Sequence, residues 1–147
     1  GIMWFDPRPG RANSMAPGKR PLSNMCPVIA TREGAGWFAL GASGGRRIVP
    51  ATFQLASFLI DFGLDLDTAY GTPRIDASGG DAVFCDRHLP AAVIAALKAR
   101  MAVTVTEHTV HPKMFANPQT VLRVGDQNSA AVTIHSPTAA VAVAGDA

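Results

Sequence analysis

Apolar positions along the chain fall into short alternating runs and stretches of helical spacing, punctuated by glycine and proline. The runs Pro27 to Thr31 and Gly36 to Leu40 predict two strands, joined through Arg32, Glu33, Gly34 and Ala35 in a hairpin-like connection. Beyond Pro50, Leu55, Phe58, Leu59 and Phe62 recur three and four residues apart, which predicts a helix to about Phe62 with Gly63 as its stop. A shorter helix is expected over Leu66 to Tyr70, with Asp65 and Asp67 at its positive end and Pro73 closing it. Ala82 to Cys85 fits a strand. Pro90 then opens a third helix to about Met101 that gathers Val93, Ile94, Leu97 and Met101 on one side. Val103 and Val105 alternate as a return strand. Thr120 to Val124 and Ala130 to Ile134 flank a second hairpin turn, and Ala139 to Val143 suits a last strand. Helices segregated from hairpin-connected strands predict a layered α+β fold rather than a βαβ nucleotide-binding fold.

The first 26 residues have neither period. Pro7, Pro9, Pro17 and Pro21 make them an extended, surface-hugging segment, yet it opens on Met3, Trp4 and Phe5. Apolar residues of that size call for cover, so residues 1–6 are expected to pack against another polypeptide with Trp4 and Phe5 among the anchors. At 147 residues, 48% hydrophobic and 16% charged, the chain is long enough for one domain with a core and is neither a coiled coil nor disordered. No run approaches the roughly 18–20 unbroken apolar residues of a membrane span. The net charge of +2 hides an asymmetry, seven Arg or Lys against two acids before residue 48. Those cations are dispersed among prolines and glycines with little aromatic interleaving, which argues against nucleic acid as a partner. Cys26 and Cys85 lie far apart without a CxxC pattern and read as free thiols, with a disulfide the alternative.

Candidate chemistry concentrates in two places. In Gly41-Ala42-Ser43-Gly44-Gly45-Arg46-Arg47, consecutive glycines allow either a tight turn or a cradle of exposed N–H groups for a phosphate or an oxyanion. The ending is not that of a Walker A loop, and the spacing is not that of a dinucleotide fingerprint. Ser43 formally sits in a GxSxG elbow, with Asp76 or Asp81 and His108 or His111 as paper partners, but that hydrolase fold needs a large parallel sheet that this patterning does not supply. The second place is Pro17-Gly18-Lys19-Arg20-Pro21-Leu22-Ser23-Asn24-Met25. There Ser23 and Asn24 offer compact donors suited to a substrate carboxylate, and equally to an Asx or Ser turn. His88, His108, His111 and His135 lack the helical spacing of zinc ligands, and Asp61, Asp65 and Asp67 lack that of a calcium loop.

Three segments in this order, PGKRPLSNM, GASGGRRI and DFGLDLDTAYGTPRI, resemble the small subunit of the gamma-glutamyltransferase family. The resemblance covers most of the chain and weakens after about His88. It implies an N-terminal nucleophile hydrolase, an αββα sandwich built from two subunits that one precursor releases by self-cleavage. It identifies residues 1–147 as the C-terminal portion of the small subunit, a single incomplete domain to be completed by the large subunit and the preceding small-subunit segment. The family's nucleophile, a threonine at the start of the small subunit, would lie some 40 residues upstream in the family pattern, and Gly1 has no hydroxyl to replace it. The activity implied is hydrolysis or transfer of gamma-glutamyl amides such as glutathione, without a cofactor or metal.

By the same resemblance Gly44 and Gly45 carry the oxyanion-hole N–H groups. Ser23 matches the first of two substrate-binding serines in KRPLSSM, and Asn24 stands in place of the second. Trp4 precedes the shared Phe5 near the place where the family often has an acid for the substrate's alpha-ammonium, and Asp6 is displaced by two positions. That departure brings in the related cephalosporin and glutaryl acylases as the alternative activity, and a catalytically inactive structural homologue as a further one.

Overall fold

The computed structural model describes residues 4–106, 115–133 and 140–142. Strands β1 (Val28–Arg32), β2 (Ala35–Ser43), β6 (Asn117–Val124) and β7 (Gln127–Val132) form one antiparallel sheet in that spatial order. The β1–β2 connection is a two-residue turn in which Glu33 (φ 53°) and Gly34 (φ 82°) both take positive φ, the backbone handedness that suits a tight hairpin. Across the four strands Val28, Leu40, Thr120 and Ala131 stand in one row, and Ala30, Phe38, Leu122 and Ser129 in the next. Helices α1 (Ile48–Ile60) and α2 (Leu66–Gly71) lie on this face, and Phe38, Leu40, Leu55, Leu59, Leu66 and Ala69 make the core. A hydrogen bond of 2.8 Å between Tyr70 Oη and Thr120 Oγ1 ties α2 to β6; burial pushes the phenol's pKa up to about 12.

The opposite face of the sheet carries one exposed apolar row. Ile29, Ala39, Val121 and Ala130 form a row across all four strands, and Ile29 is 79% and Val121 53% exposed. On α1, Phe53 is 72% exposed and Val49 half exposed.

Predicted and observed elements agree for the first hairpin, the first two helices and the second hairpin, with shifts at their ends. Helix α1 begins at Ile48, two residues before Pro50, because the chain enters it directly from a 3-10 turn over Gly45–Arg47. Pro50 is tolerated there since the first N–H groups of a helix have no partner to lose. At the other end Gly63 takes φ +63° and Leu64 N–H bonds to the Phe58 carbonyl, so the helix stops as expected. Of the predicted apolar stripe, Leu55 and Leu59 are buried, Phe58 is partly buried and Phe62 is exposed. Asp65 caps α2 by accepting the Thr68 N–H at 2.7 Å.

Two expectations need correction. The segment Gly41–Ser43 belongs to β2, paired with Asn117–Gln119, so the glycine turn starts only at Gly44. The predicted strand, third helix and return strand form one unit: β4 (Ala82–Asp86) pairs in parallel with β5 (Ala102–Thr106), and α3 (Ala91–Lys98) crosses between them. This small second sheet also contains β3 (Ile75–Asp76), antiparallel to β4. The N-terminal segment is curled rather than extended. Asp6 N–H bonds to the Asn13 carbonyl, Asn13 Nδ2 donates to the Trp4 carbonyl at 2.7 Å, and Ser14 Oγ donates to the Arg8 carbonyl. Residues 140–142 have no regular structure, and the rest of the predicted last strand lies outside the described residues, as do His108, His111 and His135.

Candidate active site

A cavity of about 820 Å³ opens where the curled N-terminal segment, the Pro21–Asn24 stretch, the start of α1 and the loop after β3 converge. Its lining includes Ser23 and Asn24, Trp4, Asp6 and Arg8 of the N-terminal segment, Arg46 and Val49, and Ser78 and Gly79. Ser23 Oγ accepts the Met25 N–H at 3.2 Å, the small local turn that the sequence allowed, and the side chain remains exposed. Asn24 is half-buried beside it.

Gly44 and Gly45 do not themselves line this cavity; they lie immediately behind it. The turn takes up their carbonyls, Gly44 accepting from Arg47 N–H (3.3 Å) and Gly45 from Ile48 N–H, and leaves their own N–H groups ahead of the first helical bond. Gly44 (φ +149°) passes so close to Ala116 that a Cβ built on it would lie 2.7 Å from Ala116 Cβ. Gly45 (φ +64°) faces Trp4, whose Cη2 would be 3.4 Å from a Cβ at that position. The indole thus lies against the glycine turn and lines the same cavity as Ser23 and Asn24. Trp4 finds part of its cover in this chain, on Gly45, and is 36% exposed.

The two cations on the wall differ. Arg8 is held by Asp6 through Nε at 3.1 Å and Nη2 at 3.3 Å, and its backbone N–H reaches the same carboxylate at 2.9 Å. These bonds lower the Asp6 pKa, so the acid is ionised and occupied. Arg46 has no ion-pair partner among the described residues. Behind the turn, Arg47 Nε lies 3.4 Å from Oδ2 of buried Asp76, which also accepts from Ser78 Oγ at 2.9 Å. Arg74 is buried close by; desolvation lowers its pKa, against the opposing fields of Tyr70 and Asp86. The sequence offered no spacing signal for the Arg47–Asp76 pair, 29 residues apart, or for Arg46.

The other candidates are structural. Ser43 ends β2 opposite Asn117, with no side-chain hydrogen bond among the described residues. His88 Nδ1 and N–H both meet Asp86 Oδ1, at 2.9 and 2.8 Å, in a local turn. Asp61 accepts from Ser57. Cys26 and Cys85 are free thiols, and burial raises the pKa of Cys85. Among the described residues no His, Cys, Asp and Glu cluster could hold a metal, and no helix is long and apolar enough to cross a membrane.

The fold is part of an N-terminal nucleophile hydrolase, the class of the solved structures it resembles. The chain superposes on gamma-glutamyltranspeptidase from Pseudomonas nitroreducens complexed with L-DON at a TM-score of 0.73, with 28% identity, covering 92% of this chain and 70% of that one. The family model for gamma-glutamyltranspeptidase matches residues 2–143, and the chain belongs to that family. Its similar relatives include the acylase ACY 1 proenzyme of Pseudomonas sp. (strain SE83), 45% identical over 96 residues, which are 65% of this chain and 17% of that protein. The glutathione hydrolase proenzyme of Escherichia coli (strain K12) is 42% identical over 65 residues, 44% of this chain and 11% of that protein. The chain thus spans under a fifth of the length of these two relatives.

Proposed function

We propose that this chain is the C-terminal portion of the small subunit of an enzyme that hydrolyses or transfers gamma-glutamyl amides, and that it supplies the oxyanion and carboxylate sites to a nucleophile carried elsewhere. The observation that carries the reading is the convergence of Ser23 and Asn24 on one cavity that is also lined by Arg46, next in sequence to the Gly44–Gly45 turn, and by Trp4, which packs on Gly45. A threonine hydroxyl attacks the gamma-carbonyl, its own alpha-amine taking the proton, and the carbonyl oxygen gathers negative charge. The N–H groups of Gly44 and Gly45 stabilise that charge, and Ser23 and Asn24 hold the substrate's carboxylate. Collapse expels the amine with the proton returned to it. Water, or an acceptor amine, then releases the acyl group from the threonine.

The partner follows from uncovered surface. The Ile29–Ala39–Val121–Ala130 row and exposed Phe53 await the second sheet and further helices, which the large subunit and the preceding small-subunit segment bring. Purified alone, the chain should not turn over a gamma-glutamyl anilide; joined to the polypeptide that completes the fold, it should. Turnover by the chain alone sinks this reading, and so does a complete, processed assembly that acts on neither gamma-glutamyl nor glutaryl amides.

One set of observations favours the acylase alternative. Trp4 lines the cavity and Asp6 is taken by Arg8, which leaves a substrate ammonium without a free acid among the described lining residues. The acylase relative also matches over more of the chain than the glutathione hydrolase does.

Arg46 lines the same cavity. It follows the oxyanion glycines directly and has no acid of its own, so it suits a carboxylate on the amine side of the substrate. Arg46→Ala should lower kcat/KM for a gamma-glutamyl 3-carboxy-4-nitroanilide about tenfold more than for the plain 4-nitroanilide, since a charged hydrogen bond is at stake. Equal losses on the two anilides would remove Arg46 from leaving-group recognition.

A further inference from the structure

We infer that Asp76 is a positioning residue for the oxyanion site, a buried carboxylate that fixes the glycine turn relative to the Ser78–Gly79 wall of the cavity. The inference rests on the function proposed above. Asp76 occupies β3, which is only two residues long and is fastened to α1 by a side chain. Gln54 Oε1 accepts the Ile75 N–H at 2.9 Å, while Gln54 Nε2 donates to the Ile75 carbonyl at 2.7 Å and to the Pro50 carbonyl at 2.8 Å. The amide serves as the strand partner that β3 lacks on that edge, and it sets where the Asp76 carboxylate stands relative to α1.

From that fixed point Oδ2 reaches two ways. Arg47, the last residue of the 3-10 turn, meets it through Nε, and the Arg47 N–H closes the turn on the Gly44 carbonyl. Ser78, on the cavity wall, donates to the same oxygen. One carboxylate thereby sets the distance between the glycine turn and the Ser78–Gly79 wall. Its other oxygen, Oδ1, is buried without a hydrogen-bond partner among the described residues. A half-satisfied buried carboxylate is a poor stabilising device compared with an apolar side chain of similar size. Its worth lies in holding Arg47, and with it the two N–H groups whose placement matters most once charge develops on the substrate oxygen.

The test uses the assembled, processed enzyme and single-turnover plus steady-state kinetics on gamma-glutamyl and glutaryl anilides. Asp76→Asn keeps the shape and an acceptor but releases Arg47 from its charge. It should lower kcat about tenfold or more with KM changed less than about threefold, and leave the ratio of the two substrates unchanged. Arg47→Lys, which keeps the charge and loses the directed guanidinium, should fall in the same direction, and Asp76→Asn/Arg47→Lys should be no worse than the poorer single variant. Should Asp76→Asn fail to assemble, Arg47→Lys decides alone by its kcat and KM. A kcat within about threefold of the parent in the variant that assembles, or a loss confined to KM, overturns the inference. A parent enzyme inactive on both substrates would instead overturn the function on which it rests.

Discussion

Gly44→Ala is expected to cut kcat of the assembled enzyme by about a thousandfold, the cost of losing an oxyanion donor at the upper end of what such losses show. Alanine keeps the N–H, so the effect has to come from where that N–H points. A Cβ at residue 44 would stand 2.7 Å from Ala116 Cβ and 2.8 Å from Ala116 Cα. Neither atom is a flexible side-chain end, and Ala116 is buried at the entrance to β6, next to the Ser43–Asn117 pair that locks β2 to β6. The φ of +149° adds strain of about 1–3 kcal/mol for any L residue. The turn therefore rotates to escape, carrying the Gly44 and Gly45 N–H groups away from the developing charge. Gly71→Ala is the control: its added methyl meets nothing within 4 Å and its φ is ordinary, so activity should stay within about twofold. Retention of a tenth or more of the parent kcat by Gly44→Ala would remove these N–H groups from the reaction.

The elements legible in the sequence were those whose cause is local. Arg32-Glu33-Gly34-Ala35 announces its hairpin because two residues must take positive φ, and Gly34 does so without strain. Helix α2 is announced by Asp65, whose side chain caps it from three residues away. What escaped was set by distant partners. The short strand β3 exists because Gln54, 21 residues earlier, stands in for a strand beside it. The parallel pairing of β4 with β5 cannot be read from the alternation of Val103 and Val105, which is the same for either strand direction. Gly41–Ser43 looked like part of a loop because its small residues have low strand preference, yet pairing with β6 holds them extended. The candidate site divides in the same way. Ser23, Asn24 and the glycines could be singled out by resemblance, whereas the Arg47–Asp76 clamp and the contact of Trp4 with Gly45 exist only in three dimensions.

That contact makes Trp4→Asp the substitution with the largest expected effect on selectivity. As the chain stands, the parent enzyme should discriminate weakly between gamma-glutamyl amides and their glutaryl counterparts, which lack the alpha-ammonium. The cavity offers that ammonium an indole at Trp4 and, at Asp6, a carboxylate already committed to Arg8 by three hydrogen bonds. An ammonium bound there loses water without gaining a partner, at a cost of at least ~1–3 kcal/mol, or roughly ten- to a hundredfold in kcat/KM. Placing a carboxylate at residue 4 reverses the sign: Trp4→Asp should raise the preference for the gamma-glutamyl anilide over the glutaryl anilide by about the same factor. Arg8→Ala offers an independent route, since it frees Asp6 to serve the ammonium and should move the ratio in the same direction by a smaller amount. The ratio of the two kcat/KM values, measured for parent and variants at one pH, separates the possibilities. A parent preference for the gamma-glutamyl compound above about a thousandfold would mean that an acid from the completing polypeptide already holds the ammonium, and that Trp4 packs on Gly45 without setting which acyl group the enzyme accepts.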